Sequence, residues 1–216
     1  SVTAGKLVAG ERLQGLEVER EDNDNVRDGG YALHLTQAKD ANPNYDITFV
    51  DGTFTINQRL LTVKWGTTEF TYDGKEHCPE ATLGNVIDKD DLGATVEGSQ
   101  TEVGASYTAT LTALTGKAAD NYALPTEGLT CGFSIKNAAQ GAPKVQAAAE
   151  TVSAKRDGKI TGVDGTMEWR AQGAAAYQAA GKDVTELADL AAGVYEVRYQ
   201  AKANYDASAV TEVTVK

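Results

Sequence analysis

Gly104-Ala105-Ser106-Tyr107-Thr108-Ala109-Thr110-Leu111, followed by Asn121-Tyr122 and then by Gly132-Phe133-Ser134-Ile135, is the stretch whose pattern decides the fold. Tyr107, Ala109 and Leu111 fall on one side of an extended chain and Thr108 and Thr110 on the other, the period-two alternation of a half-buried β-strand. The same order of signals occurs twice more. Tyr31-Ala32-Leu33-His34-Leu35 follows Gly29-Gly30 and precedes Asn44-Tyr45 and Gly52-Thr53-Phe54-Thr55-Ile56. Tyr195-Glu196-Val197-Arg198-Tyr199 follows Gly193 and precedes Asn204-Tyr205 and Val213-Thr214-Val215. The Asn-Tyr pairs, at 44–45, 121–122 and 204–205, lie 77 and 83 residues apart, too long a period for a solenoid and right for a small sandwich. The chain therefore reads as all-β, with tandem small β-sandwich modules at 1–58, 59–137 and 143–216 in an elongated array.

The middle module opens on Leu61-Thr62-Val63-Lys64-Trp65, continues through Phe70-Thr71-Tyr72 to a hairpin-type signal at Asp73-Gly74, and alternates again near Thr95-Val96. Its first strand precedes Tyr107 by 46 residues, whereas only 30 residues precede Tyr31. The first module is therefore expected to be truncated, short of its complement by about one or two strands of ordinary length. Ala138-Ala139-Gln140-Gly141-Ala142-Pro143 reads as the one clear linker. In the third module Ile160, Met167, Trp169, Leu187, Leu190 and Val197 are the expected core, and the alternation turns Glu196 and Arg198 toward solvent.

Modules of this length sit near the lower limit for an independent core, so each must bury its few aromatics well. A hydrophobic content of 41% with only four prolines argues for a folded chain. The net charge of −11 sets it against nucleic acid and anionic membrane surfaces, both of which are bound by clustered Lys and Arg. No run of 18 apolar residues exists to insert into a membrane, and the chain reads as an excised fragment of a mature protein. Its only cysteines, Cys78 and Cys131, both lie in the middle module. One intramodule disulfide is the economical reading, implying an oxidising compartment, but Cys78 is out of phase with its apolar neighbours unless Pro79 marks a bulge, and two free thiols remain the alternative.

Asn44-Tyr45-Asp46-Ile47-Thr48-Phe49-Val50-Asp51-Gly52-Thr53-Phe54-Thr55-Ile56, followed by Leu61-Thr62-Val63 and by Tyr72-Asp73-Gly74-Lys75, resembles the MBG-type Ig-like repeats of bacterial, Gram-positive cell-surface and adhesin proteins. Val103-Gly104 and Ala119-Asp120-Asn121-Tyr122 look similar to the same family. Asp157-Gly158-Lys159-Ile160-Thr161-Gly162 and Gly193-Val194-Tyr195-Glu196-Val197 resemble a different short repeat that accompanies them in such proteins. The resemblance implies a secreted protein of the cell surface or cell wall, with the modules forming a stalk or an adhesive segment. It carries no catalytic residues and no cofactor to transfer. Cysteine at positions 78 and 131 departs from the family pattern.

The residues themselves add little chemistry. His34 and His77 are the only histidines. His34 falls on the outward side of its strand, and His77 adjoins Cys78, but neighbours on a strand point to opposite faces and cannot act as base and nucleophile. Glu21 and the run Asp22-Asn23-Asp24-Asn25 crowd oxygen donors into one loop, which makes Asp22, Asn23, Asp24 and Asn25 a calcium candidate beside the preferred reading of a solvated hairpin tip. Trp65 and Trp169 stay in phase with Val63 and Met167, which places them in cores rather than on a sugar-stacking platform. The tyrosines of the Asn-Tyr pairs fit a corner role, with the hydroxyl bonding backbone. The expected function is a non-enzymatic, monomeric stalk or adhesive region, whose partners would be a host glycan, a mucin or a matrix protein. The alternative is a carbohydrate-binding accessory region of a secreted glycoside hydrolase.

Overall fold

The alternation seen in the sequence is realised as strands throughout. The computed structural model describes residues 4–216, and they form eighteen strands and a single 3-10 turn. In chain order these are β1 (Leu16–Arg20), β2 (Tyr31–Gln37), β3 (Gly52–Phe54), β4 (Arg59–Leu60), β5 (Thr62–Trp65), β6 (Glu69–Thr71), β7 (Ala81–Gly84), β8 (Gly93–Glu97) and β9 (Gly104–Thr115). The 3-10 turn Ala119–Asn121 follows, then β10 (Tyr122–Ala123), β11 (Thr130–Lys136), β12 (Gln146–Ala148), β13 (Gly158–Thr161), β14 (Met167–Ala171), β15 (Gln178–Ala179), β16 (Glu186–Leu190), β17 (Gly193–Tyr199) and β18 (Thr211–Val215). The protein is all-β. No helix among the described residues is long and apolar enough to cross a membrane.

Contacts divide the chain into two compact units, 1–64 with 81–95 and 111–129, and 65–80 with 96–110 and 130–216. Each unit therefore draws on residues from two of the three sequence repeats. In the first unit β1, β2 and β3 form an antiparallel sheet in that order, and β4 pairs in parallel with β10. Gly30, at φ +71°, starts the tyrosine strand where only glycine fits: a Cβ there would stand 2.6 Å from the Phe54 carbonyl oxygen. Between residues 4 and 58 there are three strands, against eight between 59 and 137, and β4 to β7 have no counterpart in the first repeat.

In the second unit Ala109, Phe133 and Ile135 form a buried cluster on which Trp65, Phe70, Tyr72, Cys78, Val96, Val103 and Tyr107 pack. The Phe70 ring meets Phe133 edge-on at 6.0 Å, and Tyr107 lies 5.5 Å from the same ring. A second cluster gathers Ile160, Met167, Leu187, Leu190 and Val197 with Val145, Val163, Tyr195 and Val215, and Trp169 packs against it. Ile160, Met167, Trp169, Leu187, Leu190 and Val197 are the apolar residues the alternation turned inward, supplied by the sheet β12-β13-β16 and the sheet β15-β14-β17-β18.

Three local expectations are corrected. Asp73-Gly74 is a turn in which Asp73 Oδ1 accepts the Lys75 N–H at 2.9 Å, but its flanks do not pair with one another: β6 runs parallel to β11, and His77 bridges to Gln100. A short Asx turn reverses the chain without dictating the partner of the next extended segment. The connector 138–143 is no free linker either, because Ala138 bridges to Tyr205, Gln140 donates to the carbonyls of Gln200 and Asp206, and Pro143 is buried. Glu196, on the outward face of β17, is 9% exposed rather than solvated. The Ala-rich segment after β14 lays Tyr177 over it, and the carboxylate accepts from Arg170 Nε at 2.6 Å and from the Tyr177 hydroxyl at 2.9 Å. Those bonds hold Glu196 below the usual carboxylate range. Arg198 and Arg170 flank the Tyr177 ring, 3.8 and 4.4 Å from its centroid.

Candidate functional site

The Asn-Tyr pairs are where the repeat becomes geometry. Tyr122 is buried, its hydroxyl accepting the Ile87 N–H at 2.9 Å and donating to Asp90 Oδ2 at 2.5 Å. Tyr45 does the same, accepting from the Val8 N–H at 3.0 Å and donating to Glu11 Oε2. In both cases the carboxylate lies three residues after the amide, so the two tyrosines close equivalent loops. Burial, and after it the Asp90 bond, raises the Tyr122 pKa; for Tyr45 the Glu11 bond is the main cause. Tyr205 differs: its ring meets Tyr72 edge-on at 5.5 Å and lies under Lys202 Nζ at 4.7 Å.

The tyrosines that start the long strands form a second set. Tyr31 donates to the Asn25 carbonyl at 2.5 Å, Tyr107 to that of Glu102 at 3.0 Å and Tyr195 to that of Ala191 at 2.9 Å. Each hydroxyl thus ties down the loop just ahead of its own strand.

The asparagine of the following repeat grips that same loop. Asn121 Oδ1 accepts the Val26 N–H at 2.7 Å while its Nδ2 donates to Asn25 Oδ1 at 2.8 Å. Asn204 Oδ1 accepts the Val103 N–H at 3.1 Å while its Nδ2 donates to Glu102 Oε2 at 2.6 Å. The pattern is one amide side chain spanning a backbone donor and a side-chain acceptor on adjacent residues, across 95 residues in one case and 101 in the other. Asparagine suits the task because it carries a donor and an acceptor on a short stem, and Asn204 also occupies a left-handed conformation at φ 65° that few other residues tolerate. Sequence reasoning assigned the corner to the tyrosine and left the asparagine without a role. The signal was its recurrence beside the tyrosine in all three repeats.

The other candidate residues fall outside these junctions or take structural parts in them. In the acidic loop Arg20 donates to Asp24 Oδ1 at 2.8 Å and to the Asn23 carbonyl, and Arg27 holds Glu21 bidentately at 2.6 Å. That pairing lowers the Glu21 pKa and raises that of Arg27. Asn23 Oδ1 accepts the Asn25 N–H at 2.9 Å, Asn25 is spent on Asn121, and Asp22 is exposed. Among the described residues no group of three His, Cys, Asp or Glu side chains is placed to hold a metal. His77 bonds Asp73 at 2.9 Å and stacks on Phe70 at 4.8 Å, while His34 meets Asp51 at 2.8 Å on the surface. Cys78 and Cys131 are both half-buried thiols in this structure, and burial pushes the Cys78 thiol up, the opposite of an activated nucleophile. Trp65 and Trp169 are half-buried against the two clusters of the second unit, as their phase predicted.

The described residues are all-β, and within each compact unit the paired amide contacts tie residues of one sequence repeat to those of the next. The family profile of the MBG domain (YGX type) matches residues 1–55, the segment that holds Tyr31 and Tyr45. Comparison with curated proteins and with solved structures returned no match. The matched family is one of surface-protein repeats, which agrees with a non-catalytic repeat region.

Proposed function

We propose that this chain is part of the extracellular repeat region of a bacterial surface protein, where it serves as a spacer that holds successive modules in register. The observation that supports this reading most directly is the recurrent asparagine grip, because a spacer needs junctions whose geometry the sequence specifies at every step. Under the same reading residues 1–58, 59–137 and 143–216 are the successive modules, and the protein is a monomer of the cell wall or cell surface. In that oxidising setting Cys78 and Cys131 join as a disulfide. Thiol titration of the denatured, unreduced protein decides the point, since a bridge leaves no titratable thiol and its absence leaves two.

Nuclear relaxation of the full chain tests the spacer role. The amides of neighbouring repeats should report one rotational correlation time, and the pair Asn121→Ala with Asn204→Gly should make them diverge. Divergent times in the unaltered chain would remove the basis of the proposal. Adhesion is the second reading within the same class, and saturable binding to a mucin, a glycan panel or a matrix protein would establish it. The accessory region of a glycoside hydrolase has less support, because both tryptophans pack on cores; binding confined to glycans and lost in Trp65→Ala or Trp169→Ala would restore it.

A further inference from the structure

The sheet β1-β2-β3 has one charged side and one apolar side, set by its register. Val18 stands opposite Leu35, Leu16 opposite Gln37, Arg20 opposite Leu33, and Tyr31 opposite Phe54, so Leu16, Val18, Leu33, Leu35 and Phe54 share a face. That is the face an antiparallel sheet normally turns to a core. Here it lies open: Leu16 is 43% exposed, Val18 62% and Phe54 41%. Its Tyr31 end is covered by Arg27 and Arg20, 4.2 and 5.8 Å from the ring centroid, with Arg20 also 5.1 Å from Phe54, while Leu33 and Leu35 are half-buried.

The second repeat shows what belongs on such a face. By register Tyr107 stands opposite Phe133 as Tyr31 does opposite Phe54, and there Phe133 is 4% exposed and Ala109 fully buried beneath Trp65, Tyr72 and Cys78. Those covering residues come from the segment 59–84, which also fills two backbone edges. β4 pairs in parallel with β10 next to Tyr122, and β6 pairs in parallel with β11. In the first repeat Tyr45 and Asp46 lie outside any strand, and among the described residues β3 has β2 as its sole strand neighbour. An apolar face, the free edge of β3 and the segment at Tyr45 and Asp46 therefore coincide, each at the position that residues 59–84 satisfy one repeat later.

We propose that the open face of β1-β2-β3 is a docking surface for the front half of a further repeat of this kind, an extended segment with the apolar alternation of residues 59–84. It adds one strand beside Tyr45 and Asp46, another beside β3, and lays an aromatic of the Trp65 type over Val18, Leu33 and Phe54. Strand addition supplies the backbone bonds and the alternating apolar residues supply the selectivity.

The test titrates the isotopically labelled full chain with an unlabelled peptide copying residues 59–84 with Cys78→Ser. Saturable shifts of β2 and β3 amides are expected. Val18→Asp should weaken the titration at least tenfold, and Glu17→Lys, on the opposite face, should leave it unchanged. The same segment joined through a flexible linker ahead of residue 1 should slow hydrogen exchange of β2 amides at least tenfold. Absence of binding together with unchanged exchange in the linked chain would overturn the proposal. So would a concentration-dependent dimer of the unaltered chain that Val18→Asp dissolves, because the face would then belong to a second copy.

Discussion

Replacing Asn121 by alanine removes both of its bonds to the first repeat while leaving the backbone undisturbed, since residue 121 does not require a left-handed conformation. The Val26 N–H, half-buried and bonded at 2.7 Å, loses its acceptor, and Asn25 loses its amide partner at 2.8 Å. A net hydrogen bond contributes about 0.5–1.5 kcal/mol, so two give roughly 1–3 kcal/mol for opening the loop. That corresponds to about a 5- to 150-fold faster exchange of the Val26 amide, measured site by site in native conditions. Asn25→Ala should share part of the loss, and the double variant should fall short of the sum by about 0.5–1 kcal/mol if the two amides interact as described. Asn204→Gly offers the independent repeat, because glycine keeps the φ of 65° and deletes only the side chain; the Val103 amide should respond as Val26 does. Unchanged exchange at Val26 in Asn121→Ala would refute the idea that the asparagine holds the junction.

Tyr122→Phe keeps the buried ring but strands the Ile87 N–H, and should cost about 1 kcal/mol in thermal or urea unfolding, whereas Tyr45→Phe at a more exposed corner should cost less. Gly158→Ala would set a Cβ 2.3 Å from Val215 Cγ1 and 2.9 Å from the Leu190 carbonyl oxygen, and overpacking of that kind should destabilise the third repeat by about 1–3 kcal/mol in urea. Asp157 is held down to about 2 by the Thr151 hydroxyl and N–H and then by Lys155. Its folded value lies below its unfolded one, so its contribution is complete above about pH 4 and is lost as pH falls toward 2, and Asp157→Asn should flatten that part of an acid titration followed by circular dichroism. Alkylation of Cys78 in the native, reduced chain at pH 8 should be slower than in the unfolded chain, since burial raises its pKa; equal rates would show the site to be open.

Residues alternating around Tyr31, Tyr107 and Tyr195 determined by themselves that the chain is all-β and that the same strand recurs three times, because period two in apolar residues has one realisation when a single face is buried. They also determined the cores: Ile160, Leu187 and Val197 needed only their phase to be placed. Pairing was decided by the tertiary structure alone. Nothing in Phe70-Thr71 says that β6 lies parallel to β11 rather than folding back through Asp73-Gly74, since strand partners depend on which edges remain free after the larger sheet forms. The fate of the polar residues was likewise beyond the sequence. Glu196 has an outward phase, and only the path of the segment carrying Tyr177 buries it. Asn121 and Asn204 are short polar residues of a kind common in loops, and their role rests on loops about a hundred residues away, a distance that no local pattern spans but a folded chain closes to under 3.2 Å.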